Sequence, residues 1–192
     1  MGKIVVSTNI TLDGVVQDPT GEEGFKHGGW FGQFGGKDLQ PWGEIETAEA
    51  LAAEALLLGR QTDEWFATRW LSRDGVWADR LNSMPKYIVS STLDEARWTN
   101  SPGSTVLKGD VVAEVSKLRQ RLAGEIVVYA SYQLVHTLME HDLVDELRLT
   151  VFPVVLGAGD RLFGETSDIR PMRLVSTQIV GEGLVYLTYE RR

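Results

Sequence analysis

The sequence predicts an α/β domain in which helices flank a mainly parallel central sheet and the chain closes with an antiparallel strand pair. Runs of β-branched and aliphatic residues alternate with segments whose apolar residues recur at helical spacing. The run ALLLG at 55–59 is continuously apolar, as in a strand covered on both faces. Two final strands, near 173–180 and 184–191, are separated by Gly181-Glu182-Gly183, which predicts an antiparallel pair.

The first half of the chain begins with a strand at 3–9, followed by the turn dipeptide Asp13-Gly14. Residues 13–43 are rich in glycine, and their aromatic residues argue against disorder, so we expect a long loop that walls a pocket. The following elements are predicted in order: a helix at 44–53, a strand at 55–59, helices at 62–68 and 76–82, and strands at 86–91 and 105–107.

The second half contains the most regular unit of the chain. Asp110 is a favourable N-cap, an apolar stripe at helical spacing follows it, and Gly124 is expected to end that helix. A strand at 125–130, a helix at 131–141 and a long strand at 144–156 come next. Pro153 cannot donate to a ladder, so regular pairing should break there. With no repeat and no linker, residues 1–192 are predicted to form a single domain.

Composition excludes several classes of protein. The 192 residues carry a formal charge of -8 and no cysteine, which removes disulfide frameworks, thiolate nucleophiles and cysteine-type zinc sites. The three histidines lack metal-ligand spacing, and no metal is expected. The basic residues are scattered, so there is no electrostatic footprint for nucleic acid. Without a signal peptide or an apolar stretch of membrane length, we expect a cytoplasmic protein that acts on a small molecule.

Two strand-to-helix junctions carry the strongest functional signal: Gly59-Arg60-Gln61-Thr62 and Ala130-Ser131-Tyr132-Gln133. In a parallel sheet, ligands sit beyond the carboxyl ends of strands, where helix N-termini offer free N–H groups. Arg60 adds a fixed positive charge, and the hydroxyls of Ser90 and Ser91 end another strand at the same edge. The pattern favours an anionic cofactor. The alternative is that each residue has only a structural role: Gly59 ends a strand, Arg60 forms a surface ion pair and Ser131 is an ordinary N-cap.

Three segments then resemble a known family. LLLGRQTDEWF at 56–66, PKYIVSSTL at 85–93 and DELRLTVFPVVLGAGDRLF at 145–163 are similar to motifs of the dihydrofolate-reductase-like superfamily. The closest branch contains the reductase domain of the bifunctional riboflavin-biosynthesis deaminase-reductase and its stand-alone bacterial relatives. Thr11-Leu12-Asp13-Gly14 matches that branch's S/T-L-D-G motif, and the resemblance extends over about residues 3 to 190.

The resemblance implies that NADPH lies across the strand ends and that Arg60 contacts its 2′-phosphate. It also implies hydride transfer to a small heteroaromatic substrate, pterin-like or pyrimidine-like. The implied cofactor-binding residues are Leu12, Gly14, Gly59, Arg60, Gln61, Thr62, Ser90, Ser91, Ala130, Ser131, Tyr132, Gln133 and Leu134. The residues assigned to the substrate are Asn9, His27, Trp30, Trp42 and Trp65.

Two residues depart from the family pattern, which usually has Gly-Ser where this chain has Ala130-Ser131, and commonly a basic residue where it has Asp160. The Ala130 methyl is expected to hinder backbone approach to a pyrophosphate. Replacing it with glycine is expected to tighten NADPH binding and to cost about 0.5–1 kcal/mol of strand stability.

Reduction of a C=N or C=O bond also needs a proton, which a carboxyl of raised pKa can deliver. We assign this role to Asp13; the alternative is that Asp13 serves only its tight turn. Glu44, Glu46 and Glu49 are further candidates, but helix acids more often lie on a solvated face, and a water could also serve. Two other functions stay open: a non-catalytic NADPH-binding module and a flavin-dependent oxidoreductase.

A homodimer is expected from the resemblance, because many members of the branch pair through their sheets. The apolar segment Leu147–Leu156 adds a separate reason, since an edge strand so apolar would need a cover. The alternative is that a helix of the same chain covers it.

Overall fold

A computed structural model describes residues 1–99 and 103–192, which form one eight-stranded sheet with helices on both faces. The strands are β1 Lys3–Thr11, β2 Ala55–Gly59, β3 Lys86–Val89, β4 Ser104–Leu107, β5 Glu125–Tyr129, β6 Glu146–Phe152, β7 Met172–Val180 and β8 Leu184–Arg191. The helices are α1 Trp30–Gly35, α2 Leu39–Ala52, α3 Arg60–Trp70, α4 Val76–Ser83, α5 Val111–Arg121 and α6 Tyr132–Glu140, with a 3-10 turn at Gly36–Asp38.

The strand order is β4-β3-β2-β5-β1-β6-β8-β7. Strands β1 to β6 pair in parallel, whereas β8 pairs antiparallel with both β6 and β7. Helices α5 and α6 pack on one face, where the aliphatic side chains of β1, β5 and β6 form a core. Helices α2, α3 and α4 pack on the opposite face. This arrangement confirms the predicted fold class.

The segment predicted as a long loop is partly helical. Residues 12–29 are irregular, but α1 begins at Trp30 and α2 already begins at Leu39, with Pro41 in its first turn. Proline is tolerated there because first-turn N–H groups lack an intrahelical partner. The glycines of this segment predicted a loop, because glycine has a low helix propensity. The helix is stabilised by burial of Trp30 against Phe152, a tertiary contact that the local sequence does not show.

Strand β6 occupies the interior of the sheet, so the prediction of an apolar edge strand was wrong. It pairs with β1 along Glu146–Phe152 and with β8 on its other side. The alternative of a covering helix holds in part, because Trp30 of α1 packs on Phe152, while strands of the same chain pair with both edges of β6. The argument for a dimer from this segment is therefore withdrawn. The strand ends at Phe152, directly before Pro153, as the missing N–H requires.

The true edge strand at this end is β7, whose side chains are mostly exposed. Leu174, Val175 and Ile179 are apolar residues among them, and 73% of Ile179 is accessible. None of the helices in the described ranges is long and apolar enough to cross a membrane.

Candidate active site

A cleft of about 1330 Å³ opens at the carboxyl ends of the parallel strands. Strands β1 and β5 are paired only as far as Ser7 and Tyr129, while β1 continues along β6 to Thr11. Beyond Tyr129 the chain turns into α6, so the sheet splits at this point. The topology places α3 and α6, which follow β2 and β5, with their N-termini beside the gap.

Most of the residues assigned to a cofactor line one half of this cleft, which we call the strand-end half. They are Gly59, Arg60, Gln61, Thr62, Ser90, Ser91, Ala130, Ser131, Tyr132, Gln133 and Leu134. The Ser131 hydroxyl joins the two junctions, because it accepts a hydrogen bond from Gly59 N at 3.0 Å and donates one to Thr62 Oγ1 at 2.8 Å. The structure therefore brings the two predicted motifs into one site.

The junction before α6 has an unusual backbone. Ala130 and Ser131 have φ values of 48° and 49°, in the left-handed region. A side chain in this region is strained, whereas glycine is not. The expected stability cost of Ala130→Gly is therefore reversed in sign, and glycine should stabilise this position. The sequence could not reveal this, because the strand pattern EIVVYA predicted extended backbone up to Ala130.

Charge in the strand-end half is mixed. The Arg60 side chain is 47% exposed and lies 3.5 Å from Glu64, so its guanidinium is accessible to a ligand. Asp160 accepts a hydrogen bond from the Tyr132 hydroxyl at 2.6 Å, and burial together with this bond raises the pKa of Tyr132. Ser90 Oγ accepts hydrogen bonds from the backbone N–H groups of Thr92 and Leu93 and thereby organises its own turn.

Asp13 lies outside the cleft lining, and its assignment as proton donor is corrected here. Its carboxylate accepts hydrogen bonds from Thr11 Oγ1 at 2.7 Å, Gly157 N at 2.8 Å and Leu156 N at 3.2 Å. Burial opposes ionisation, but these bonds outweigh it and lower the pKa of Asp13. A carboxylate held in its ionised form organises the loops and has no proton to give.

Four other predicted residues also lie outside the lining of the cleft: Leu12, Gly14, His27 and Trp30. Leu12 is exposed, and Gly14 takes φ 79° in the turn. His27 packs edge-on against Phe25, 5.5 Å between ring centroids. Trp30 is fully buried and donates from Nε1 to the carbonyl of Gln17 at 2.9 Å. Its role is in the core, since the ring packs on Phe152 and does not face the cleft.

The other half of the cleft is walled by aromatic rings, and we call it the aromatic chamber. Of the residues assigned to the substrate, Asn9, Trp42 and Trp65 line the cleft. Asn9 Oδ1 accepts a hydrogen bond from Trp42 Nε1 at 2.9 Å, which fixes the orientation of that indole. Sequence reasoning missed Phe66, Trp70, Trp77 and Tyr129, which also line it. The spacing of Phe66 and Trp70 by four residues was an available signal, because it puts both on one helix face.

Glu46 also lines the cleft, which corrects the expectation that the acids of this helix are solvated. Only Glu44 is exposed; Glu46 is 5% and Glu49 6% accessible. Burial, and then the nearby charge of Glu49, raise the pKa of Glu46 well above its usual range, and Arg148 offsets this in part.

The charge of Arg148 is shared among three other carboxylates. Its guanidinium contacts Glu146 at 2.5 Å, Glu125 at 2.7 Å and Glu49 at 3.1 Å. Glu46 has no such ion pair, so its neutral form is favoured. Within the part of the chain that the structure describes, no group of three or more acidic or histidine side chains is arranged to hold a metal ion.

Comparison with known proteins identifies the family of this chain. The model of the RibD C-terminal domain matches residues 2–186. This chain belongs to that family. Two proteins of Bacillus subtilis, the uncharacterized YyaP and YwjB, are 30% identical over 109 residues and 34% identical over 100 residues. These matches cover 57% and 49% of this chain, and 56% and 57% of those proteins, so the chain spans little more than half the length of these relatives.

Several solved structures share the fold at low sequence identity. A putative riboflavin biosynthesis protein from Shewanella sp. PV-4 superimposes with a TM-score of 0.77 at 22% identity, over 99% of both chains. RibD from Acinetobacter baumannii superimposes with a TM-score of 0.67 at 14% identity, over all of this chain and 58% of that one. Dihydrofolate reductase from Enterococcus faecalis, in a complex with NADP(H), superimposes with a TM-score of 0.62 at 17% sequence identity. The match covers 100% of this chain and 97% of that one. The RibD-like and dihydrofolate-reductase-like fold is thereby confirmed.

Proposed function

We propose that this protein is an NADPH-dependent reductase that transfers a hydride to a small heteroaromatic substrate of pterin-like or pyrimidine-like kind. The observation that carries the proposal is the continuity of the cleft. One cavity joins a strand-end half, suited to an anionic dinucleotide, to an aromatic chamber that contains a buried acid. Family membership and the NADP(H) complex of the Enterococcus faecalis reductase support the choice of cofactor.

The donor set of the strand-end half fits a dinucleotide phosphate. First-turn N–H groups of a helix have no intrahelical acceptor and carry the positive end of the dipole, and two such turns, those of α3 and α6, meet here. We assign Gly59 to Thr62 and Ser131 to Leu134 to the pyrophosphate. Arg60 is assigned to the 2′-phosphate, since its guanidinium is accessible and can form paired hydrogen bonds.

Bound NADPH would supply a hydride, which carries two electrons and one hydrogen to a carbon of a C=N or C=O bond. Glu46 is assigned as the group that gives a proton to the adjacent nitrogen or oxygen, so that the product is neutral. Its ionised form then recovers a proton from solvent. Trp42 lies one helical turn before Glu46 on α2, and its hydrogen bond to Asn9 fixes the indole. The indole also lines the cleft and offers a face on which a ring can stack.

NADPH oxidation at 340 nm tests the proposal, with a panel of pterins, pyrimidines and quinones. The expected result is steady consumption with at least one ring substrate, and its loss in Glu46→Gln with NADPH affinity kept. Binding of NADPH without turnover across the panel would favour the non-catalytic module. A yellow purified protein would favour the flavin-dependent alternative.

A homodimer is proposed as well, through the exposed face of the β7 edge. Leu174 and Ile179 are apolar residues of this outermost strand, and exposed apolar edges are commonly covered by a partner. A two-fold contact is the commonest arrangement for such a surface.

A further inference from the structure

Arg60 is the first residue of α3, where a cation is electrostatically unfavourable. The N-terminus of a helix carries the positive end of the dipole, so acids and not cations stabilise the first turn. The acid of this turn, Asp63, is fully buried and is engaged elsewhere, because it accepts hydrogen bonds from Arg97 N at 2.6 Å and Trp98 N at 3.1 Å. Helix stability therefore does not account for an arginine at this position, whereas a bound anion does.

Glu64 is the acid that pairs with Arg60 within the described residues. Its Oε1 lies 3.5 Å from a terminal nitrogen of Arg60, and the two side chains are 40% and 47% exposed. Exposed pairs of this kind contribute little to stability, because water screens the two charges. The order is also the less favourable one, since an acid four residues before the base suits the helix dipole better. A ligand can therefore displace Glu64 from Arg60 at small cost.

Both members of this pair line the cleft. Arg60 is the one cation among the residues that define the strand-end half. In residues 1–99 and 103–192, the other cations of the lining are Arg69 and Arg73. These two stack on rings of the aromatic chamber, with their guanidinium carbons 3.7 Å and 4.9 Å from the ring centroids. An anion in the strand-end half therefore depends on Arg60 for a positive charge, and Glu64 already neutralises that charge.

The 2′-phosphate of NADPH is more sensitive to this acid than any other group that distinguishes NADPH from NADH. A phosphate monoester carries close to two negative charges above its second pKa of about 6. To form paired hydrogen bonds with the guanidinium, it must either displace the Glu64 carboxylate or bind beside it. Displacement breaks an ion pair, and binding beside the acid brings like charges together. NADH has an uncharged 2′-hydroxyl, so neither cost applies to it.

We propose that Glu64 is a specificity-determining residue of the strand-end half: its carboxylate competes with the 2′-phosphate of NADPH for Arg60 and thereby reduces the preference for NADPH over NADH. This inference rests on the proposed function for the identity of the cofactor. It concerns the adenosine end of the nucleotide and requires neither turnover nor a ring substrate.

The experiment is isothermal titration calorimetry of the full chain with NADPH and with NADH, at about pH 8, where the 2′-phosphate is fully ionised. The proteins are the wild type, Glu64→Gln, Arg60→Ala and the double variant. Glu114→Gln is the matched control, because it removes the same charge from another helical ion pair, 2.7 Å from Lys117 and outside the cleft lining. Adenosine 2′,5′-bisphosphate and 5′-AMP repeat the comparison without the nicotinamide.

Glu64→Gln is expected to tighten NADPH binding about three- to fivefold and to leave the Kd of NADH unchanged. Adenosine 2′,5′-bisphosphate should follow NADPH, and 5′-AMP should follow NADH. The gain should disappear in the Arg60→Ala background, since the two substitutions then act on one interaction. It should also shrink at high salt, because both side chains are exposed. Glu114→Gln should change neither Kd.

An unchanged Kd for NADPH in Glu64→Gln would overturn the inference. So would an equal gain for NADH, or a gain that persists without Arg60, since the acid would then not act through that residue. If the wild type binds none of the four nucleotides, both the cofactor assignment and this inference are rejected. Nucleotide binding with the expected Glu64 effect, but without turnover of any ring substrate, counts against the proposed function alone.

Discussion

The hydroxyl of Ser131 donates to Thr62 Oγ1 at 2.8 Å and so ties the first turn of α6 to the first turn of α3. The same oxygen accepts from Gly59 N at 3.0 Å, so one side chain positions both junctions of the strand-end half. We expect the relative placement of the two helix N-termini, and with it binding of the pyrophosphate of the proposed cofactor, to depend on this contact.

Ser131→Ala should weaken NADPH binding about fivefold, because loss of a hydrogen bond worth about 1 kcal/mol loosens the two junctions. Isothermal titration calorimetry measures the change. Ser83→Ala, at an exposed position on α4, is the control and should leave Kd unaltered. Identical Kd values for wild type and Ser131→Ala would show that the bridge does not organise the site.

Ala130→Gly should raise the free energy of unfolding by about 1 kcal/mol, because alanine is strained at φ 48° and glycine is not. Urea denaturation measures it. Ala123→Gly is the matched control: Ala123 is outside the set of left-handed residues, so glycine should lower stability there by about 0.4–1 kcal/mol through the unfolded chain. A loss of similar size in both variants would contradict the argument from backbone strain.

Arg60→Ala should weaken NADPH binding about tenfold and leave NADH binding nearly unchanged. The expected loss is about 1.5 kcal/mol, the lower end for a charged hydrogen bond, since the side chain is half exposed. Calorimetry with both nucleotides, and with Arg121→Ala on α5 as control, checks it. If the wild type binds NADPH and NADH equally, Arg60 does not contact the 2′-phosphate.

The free energy of unfolding of Glu46→Gln, relative to that of the wild type, should increase as pH rises. A carboxyl whose pKa is raised by folding binds protons more tightly in the folded protein than in the unfolded chain. Its contribution to stability is therefore lost as pH rises from its unfolded pKa of about 4.5 to its folded pKa. The charged and titratable groups around it are Glu49 on α2, Arg148 on β6, Tyr129 on β5 and Tyr186 on β8.

Urea denaturation at pH 5 and pH 9 measures this difference, with Glu44→Gln at the exposed position of the same helix as control. The control should show little pH-dependent change relative to wild type. A constant difference between Glu46→Gln and wild type at both pH values would mean that Glu46 is ionised throughout, which also removes it as the proton donor.

Light scattering at micromolar concentration should give about twice the 21.3 kDa chain mass if β7 forms a two-fold interface. Ile179→Glu should shift the protein to a monomer, because it places a charge in the apolar contact. Val76→Glu, at another exposed apolar residue on α4, should not. A monomeric wild type would reject the dimer.

The sequence by itself determined the strand and helix pattern, the fold class and the two strand-to-helix junctions. Each depends on local signals: apolar periodicity, an N-cap such as Asp110, and residues that end strands. Parallel strands bring their carboxyl ends to one edge, so the meeting of Gly59–Thr62 with Ser131 followed from the topology alone.

Only the tertiary structure decided which acid is buried, which strand lies at the edge and which aromatic residues face the cleft. Glu46 and Asp13 are both acids in predicted polar positions. Arg148 from a distant strand pairs with Glu49, and Glu46 is left buried without an ion pair. Hydrogen bonds from loop N–H groups stabilise the ionised form of Asp13. Trp30 and Trp70 likewise differ only in what packs on them. Such environments arise from contacts far apart in the chain, which local sequence patterns do not encode.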